Sequence, residues 1–129
     1  MMSRSAGIIA GIPPPPRGTM APRSGLGEFE QLVLLAVLAR GNECSAMEIA
    51  EELEGRGGRS VSRGALYSTM ERLKKKDLLD WRIDENDIAR SGHPRRHFTI
   101  TSEGLRVLRE ARATLLSFWD AAGEALAEN

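Results

Sequence analysis

The spacing of apolar residues changes along the chain, first following a helical period, then alternating, then returning to a helical period. The first helix is predicted at residues 26–40. Glutamates at its start are followed by an apolar run at 32–39, which ends before Gly41 and Asn42. The run is apolar nearly all round, so we expect this helix to be buried on most faces.

A second helix is predicted to begin at Ser45. Ser45 and Glu48 have the spacing of a capping box, in which the side chain of each residue accepts a hydrogen bond from the backbone amide of the other. The glycines at 55–58 end the helix. Its inward face is expected to comprise Met47, Ile49, Ala50 and Leu53.

Ser62 is the predicted cap of a third helix that runs to about residue 76. Its apolar residues fall at i, i+4 and i+7 and define one buried stripe: Leu66, Met70 and Leu73. The opposite face is polar and mostly basic, with Arg63, Gly64, Tyr67, Ser68, Glu71, Lys74 and Lys75.

The period then becomes two, which predicts a hairpin. The inward positions of its two strands are Leu79, Trp81 and Ile83, then Phe98 and Ile100. Between them, residues 85–94 are polar and are expected to form a projecting loop of about ten residues. The acids Asp84, Glu85 and Asp87 are assigned to this polar turn.

Thr101 is expected to cap a long final helix that carries two apolar stripes. The first comprises Leu108, Ala111, Leu115, Phe118, Ala122 and Ala125, and the second comprises Leu105, Leu116, Trp119 and Leu126. One stripe can cover the domain, whereas a second stripe on a long helix calls for a partner chain. The sequence therefore predicts a homodimer.

The formal net charge is zero, but the charges are unevenly distributed. Residues 56–76 hold seven basic side chains against Glu71 alone. A phosphate backbone responds to charge within a Debye length of about 8 Å, so this segment is a candidate for contact with nucleic acid. A solvated face is the other interpretation of such a charge run.

Three segments follow from this organisation. Residues 1–24 are rich in Gly, Pro, Ser and Arg and are expected to form a disordered arm, with Met20 as an alternative start. Residues 25–101 form the predicted globular domain, and residues 102–129 form the predicted dimerisation helix.

The residues do not predict an enzyme, a cofactor site or a metal site. Cys44 is the one cysteine, which fits a cytoplasmic protein without disulfides. His93 and His97 are four residues apart but fall on a loop and a strand, so a tetrahedral metal set is not expected. No apolar stretch is long enough to span a membrane.

The order of helix, helix, basic-faced helix, hairpin and helix is that of a winged helix-turn-helix, a mainly α fold with a small β-hairpin. The major groove of DNA admits one helix, and a basic hairpin beside it can hold the flanking backbone. We therefore expect a regulator that binds double-stranded DNA. A winged-helix module that binds only protein partners, or only dimerises, is the alternative.

Over residues 26–105 the sequence resembles the PadR-like transcriptional regulators. The resemblance rests on the segments 26–30, 59–73 and 92–104, which read LGEFE, RSVSRGALYSTMERL and GHPRRHFTITSEG. Asp77 stands where the family commonly has Gly, and Asp tolerates a left-handed turn. The single C-terminal helix is similar to that of the shorter members.

The resemblance implies a set of DNA-contacting residues: Ser62, Arg63, Tyr67, Ser68 and Lys74 on the third helix, and Arg90, Arg95 and Arg96 on the hairpin, which is the wing of this fold. It also implies a repressor relieved by a ligand or signal, with flat aromatic effectors binding near the dimer interface in some members. The interface or effector candidates are Leu108, Leu115, Phe118, Trp119 and Ala122. For Phe118 and Trp119, packing of the interface is the favoured interpretation.

Overall fold

The computed structural model describes residues 25–58 and 60–127, so the predicted arm at 1–24 lies outside the described residues. Within them the elements are α1 (Glu28–Ala39), α2 (Ala46–Gly57), α3 (Arg63–Lys75), β1 (Leu79–Ile88), β2 (Pro94–Ile100) and α4 (Ser102–Ala122), followed by a short 3₁₀ turn at Gly123–Leu126. The prediction of a mainly helical fold with one β-hairpin is confirmed.

The predicted helix caps are also confirmed. Ser45 Oγ accepts a hydrogen bond from the Glu48 amide at 3.3 Å, and Glu48 Oε1 accepts one from the Ser45 amide at 2.9 Å. Ser62 and Thr101 each accept from the amide three residues later, at 3.0 and 2.9 Å. Short polar side chains therefore set where α2, α3 and α4 begin.

The core lies where α1, α3 and the base of the hairpin meet. The predicted stripe of α3 is fully buried, and Thr69 is buried beside it. The main contributors from the other elements are Val33, Leu34 and Val37 of α1, Ile49 of α2, and Leu79 and Phe98 of the hairpin.

A tight turn joins α3 directly to the hairpin. Asp77 has a φ of 63°, which confirms the left-handed conformation expected of it. The Leu78 amide donates to the Leu73 carbonyl at 2.9 Å, and both Leu78 and Leu79 are buried. The first strand of the hairpin therefore starts inside the core, immediately after the helix ends.

The two strands pair antiparallel, with Leu79 opposite Ile100 and Trp81 opposite Phe98. The other edge of β2 is held by Cys44, which exchanges two backbone hydrogen bonds with Phe98. Burial, and to a lesser extent Glu48, raises the pKa of the Cys44 thiol to about 11, so this residue is a core group.

The prediction of a ten-residue loop at 85–94 is wrong. β1 continues to Ile88 and β2 begins at Pro94, so only residues 89–93 form the tip. The register of the two strands is irregular between Asp84 and Ile88. Beyond this irregularity β1 pairs again, with Ile88 opposite Pro94, although the intervening side chains are polar. Ile83, expected to face inward, is 48% exposed because the hairpin has already left the core at that point.

Two assignments of helix faces need correction. Met47, expected inward, is 51% exposed, because it lies about 200° around the helix from the buried Ile49. The expectation that α1 is buried on most faces holds for four of its apolar residues, whereas Leu35 is 48% exposed.

Helix α4 covers the domain only with its first turns. Gly104, Val107 and Leu108 are buried and Ala111 is half-buried, but Leu115 and Phe118 of the same predicted stripe are exposed. At 21 residues the helix is about 30 Å long and extends beyond the domain. In the described part of the chain no helix has the length and apolar character needed to cross a membrane.

The buried carboxylate of Glu30 ties α1 to the end of α3. Its oxygens accept hydrogen bonds from the Gly27 amide at 3.0 Å, from Lys76 at 3.1 Å and from Arg72 at 3.4 Å. Burial alone would raise the pKa of Glu30, but these donors outweigh it and hold the pKa below its ordinary value.

The close approach of α4 to the hairpin depends on Gly104. A Cβ at this position would overlap the Leu78 carbonyl oxygen and lie 2.7 Å from Ile100 Cγ1. We expect Gly104→Ala to reduce the free energy of unfolding by about 1–3 kcal/mol, measured by urea denaturation. The control is Gly55→Ala in α2, where nothing lies within 4 Å of the new Cβ and a gain of about 0.5–1 kcal/mol is expected. Equal effects of the two substitutions would contradict this packing.

Replacing Glu30 by Gln should remove the charge while keeping a side chain that can cap Gly27. Because its partners Arg72 and Lys76 are about half exposed, we expect a loss of about 1–2 kcal/mol at pH 7. A pKa lowered in the folded state stabilises the protein above the ordinary carboxyl pKa, and the stabilisation is lost as the pH falls. The difference from wild type should therefore shrink in acid, and Glu28→Gln, on the exposed side of α1, should show neither effect.

Candidate nucleic-acid interface

The exposed face of α3 begins at its N-terminal end. Arg63 and Ser68 are exposed, and Tyr67 retains 37% of its accessible surface, whereas Leu66 behind them is buried. The Ser62 hydroxyl caps the helix and still has a proton to donate outward. The sequence-predicted groups at the start of this helix are therefore directed to solvent together.

Arg63 forms no hydrogen bond or ion pair with any described residue. The same is true of Arg90 at the tip of the hairpin. An arginine without an intramolecular partner keeps all its donors for an external anion, and planar bidentate geometry suits it to phosphate or to a guanine edge.

An open cleft of about 1420 Å³ lies between α2, the first turns of α3 and the hairpin. It brings together two of the five residues predicted on α3 and all three predicted on the hairpin. The side chains that line it include Arg63 and Tyr67 from α3, Arg90, His93, Arg95 and Arg96 from the hairpin, and Met47, Glu51 and Glu54 from α2. One wall of the cleft is therefore acidic and the two others carry the arginines.

Trp81 of β1 contacts one cation from β2 and one from α3. The Arg96 guanidinium lies 4.8 Å from the centroid of the Trp81 ring and the Lys74 ammonium lies 5.2 Å from it. Trp81 in turn packs edge-on against the buried Phe98, with the ring centroids 5.5 Å apart. Such cation–π contacts restrict where the Arg96 side chain can point.

Lys74 is already engaged within the molecule. Its ammonium lies 2.6 Å from Asp80 Oδ1, and this hydrogen bond holds the pKa of Asp80 below its ordinary value. The structure thus sets Lys74 apart from the residues at the start of α3. Arg96 also approaches Glu71, at 4.0 Å, which adds a weak link between the hairpin and α3.

A cluster of titratable residues on the hairpin was missed by the sequence reasoning. His97 Nε2 lies 2.7 Å from Asp87 Oδ2 and 3.6 Å from Asp84 Oδ2. The assignment of Asp84 and Asp87 to a turn was wrong, because both belong to β1 and face β2. Their spacing could not reveal this, since residues three apart in a regular strand point to opposite faces, and only the register irregularity brings them together.

Comparison with known proteins gives a consistent result. The sequence model of the transcriptional regulator PadR-like family matches residues 34–110, from within α1 to the middle of α4. A comparison with curated protein sequences found no significant match.

Solved structures of similar fold include several from this family. The chain is 30% identical to a PadR family transcriptional regulator from Eggerthella lenta, with a TM-score of 0.59, covering 79% of this chain and 88% of that one. It is 26% identical to a "PadR-like Transcription factor from bacteroid fragilis", with a TM-score of 0.63 and coverages of 80% and 92%.

The fold is also shared with a more distant protein. The PcaV transcriptional regulator from Streptomyces coelicolor, solved with its natural ligand, is 24% identical with a TM-score of 0.61. The match covers 78% of this chain and 63% of that one. The arrangement of α3 and the hairpin is therefore a winged helix-turn-helix shared by several regulators of transcription.

Proposed function

The chain belongs to the PadR-like family of transcriptional regulators, and from that premise we propose that it binds specific sites in double-stranded DNA through α3 and the hairpin. Regulators of this family bind DNA, so the proposal concerns the surface used and its selectivity. One observation carries it: Arg63 and Tyr67 of α3 and Arg95 and Arg96 of the hairpin line the same cleft.

In the proposed complex α3 enters the major groove with its N-terminal end foremost. A helix with its side chains is about 10–12 Å across, which matches a groove of about 12 Å. Arg63 and Tyr67 are the groups that reach base edges, since they are exposed at that end, and Ser62 and Ser68 donate to nearby phosphates.

The hairpin is proposed to follow the phosphate backbone beside the groove. Arg95 and Arg96 provide the contacts, assisted by Arg90 at the tip. Glu51 and Glu54 on the α2 wall repel phosphate, so the backbone is expected to run along the hairpin side of the cleft. Lys74 has a secondary place, because its ammonium must first leave Asp80.

The protein is proposed to act as a homodimer assembled through α4. The second half of the helix exposes large apolar side chains that the domain does not cover: Leu115, Leu116, Phe118 and Trp119, with Leu126 just beyond it. A two-fold dimer buries such a patch against its own copy. Leu108 and Ala122 of the first predicted stripe lie on either side of this surface and are buried and half-buried within one chain.

We propose repression by occupancy of the DNA site, with relief by a small-molecule effector or other signal. PcaV, which shares the fold, was solved with a natural ligand. In the present chain we propose that Phe118 and Trp119 pack between the two α4 helices of the dimer. An effector that inserts there would alter the separation of the two α3 helices and so their match to successive half-sites.

Arg63→Ala should weaken binding to a DNA duplex selected from a random pool by about five- to a hundredfold, because Arg63 is proposed to reach a base edge, while the salt slope should stay close to that of wild type. Fluorescence anisotropy at several salt concentrations measures both quantities. Arg106→Ala is the charge-matched control, because Arg106 pairs with Glu103 and Glu110 on the exposed side of α4. Unchanged affinity in Arg63→Ala would contradict the proposed interface. Failure of the wild type to bind any duplex at low salt would instead favour a protein-interaction module.

Phe118→Ser should convert the protein to a monomer at micromolar concentration, because it removes a 70% exposed aromatic residue from the proposed interface. Light scattering of the full-length chain gives the mass directly. Ser117→Ala, adjacent on the helix but outside both apolar stripes, should remain a dimer. A monomeric wild type, or a dimer unaffected by Phe118→Ser, would refute assembly through α4.

A further inference from the structure

The hairpin holds a group of side chains that its proposed contact with DNA does not use. Asp84, Asp87 and His97 each offer one ligand atom, and these three atoms lie within 4.8 Å of one another. All three side chains are partly buried, with His97 the least exposed at 17%. We infer that they form a site for a divalent first-row transition metal ion on the side of the wing.

The separations suit coordination of one ion. Two ligand atoms that bind the same transition metal at about 2.1 Å lie about 3.0–3.4 Å apart, depending on the geometry. His97 Nε2 lies 2.7 Å from the Asp87 oxygen and 3.6 Å from the Asp84 oxygen, values on either side of that separation. The two carboxylate oxygens lie within 4.8 Å of each other, so rotations of the Asp84 and Asp87 side chains must complete the site.

The second nitrogen of His97 has an orienting partner. Glu43 Oε2 lies 3.6 Å from His97 Nδ1, and Glu43 is held in turn by Arg82. A carboxylate behind a metal-bound imidazole fixes the ring and directs its other nitrogen to the ion. Glu43, in the segment between α1 and α2, would thus be a positioning residue rather than a ligand.

The charges around the cluster favour a cation. Asp84 has no lysine or arginine partner in the described part of the chain, and its other oxygen accepts from the Asn86 amide at 3.0 Å. Asp87 has only a distant one, Arg95, at 3.9 Å. One imidazole nitrogen with two carboxylates suits Mn²⁺, Co²⁺ or Zn²⁺, whereas Mg²⁺ prefers oxygen ligands alone.

A bound ion would change the wing in two ways that matter for DNA. It would join β1 to β2 across the irregular part of the hairpin, restricting movement of the tip. It would also occupy the Asp87 carboxylate, which frees Arg95 for phosphate. This part of the inference rests on the proposed function, and it predicts tighter DNA binding when the metal is present.

The site is tested with full-length protein stripped of metal by a chelator and titrated with Mn²⁺, following the signal of the free ion by electron paramagnetic resonance. Wild type should bind one Mn²⁺ per chain, and an excess of Mg²⁺ should compete poorly. His97→Asn and Asp87→Asn should each weaken binding at least about tenfold. His93→Asn and Glu85→Gln are the matched controls, a neighbouring histidine and a neighbouring carboxylate outside the cluster, and should bind as wild type does.

Absence of Mn²⁺ binding in wild type, full binding by His97→Asn, or equal loss in the control variants would overturn the site. Circular dichroism establishes that each variant is folded. DNA affinity of wild type and His97→Asn is then measured with and without Mn²⁺. If Mn²⁺ tightens DNA binding by wild type but not by His97→Asn, the coupling between metal and DNA binding is supported. Equal DNA affinities with and without Mn²⁺ would overturn this coupling but not the metal site. Failure of every form to bind DNA, with Mn²⁺ binding intact, would count against the proposed function alone.

Discussion

Helix α3 and the first strand of the hairpin share one core and are joined by a turn of three residues, and the rest of the structure is built on this connection. The buried stripe of α3 ends at Leu73, and the chain re-enters the same core at Leu78 and Leu79. Only a left-handed residue at Asp77 allows this return. Because both elements are anchored by the same buried side chains, the hairpin cannot swing away from the helix without opening the core.

That constraint turns scattered basic residues into one surface. Arg63 at the start of α3 and Arg96 on β2 are 33 positions apart in sequence, yet they line one cleft. Trp81 supports the arrangement by packing on Phe98 while holding Arg96 and Lys74 against its ring. Glu51 and Glu54 of α2 lie on a separate wall of this cleft. A neutral chain can therefore present a locally cationic surface to DNA.

Much of the fold could be predicted from local chemistry. The caps at Ser45, Ser62 and Thr101 depend on short-range hydrogen bonds, and the stripe of α3 depends on helical period alone. The length of β1 could not be predicted, because its outer half is polar and pairing with β2 resumes at Ile88 only after the register irregularity. The approach of Asp87 to His97 could not be predicted either, since it follows from the irregular register, whereas Asp84 and His97 share a face of the regular pairing. The exposed end of α4 reflects where the domain stops, which periodicity does not encode.

Hydrogen–deuterium exchange of the full-length chain, with and without a selected DNA duplex, tests most directly whether α3 and the hairpin act together on DNA. Slower exchange on DNA binding is expected in two separate peptides, the first turns of α3 at 62–68 and the wing at 89–96. Exchange in α1 should be unchanged. Protection limited to α4, or protection of α3 without the wing, would contradict a shared surface.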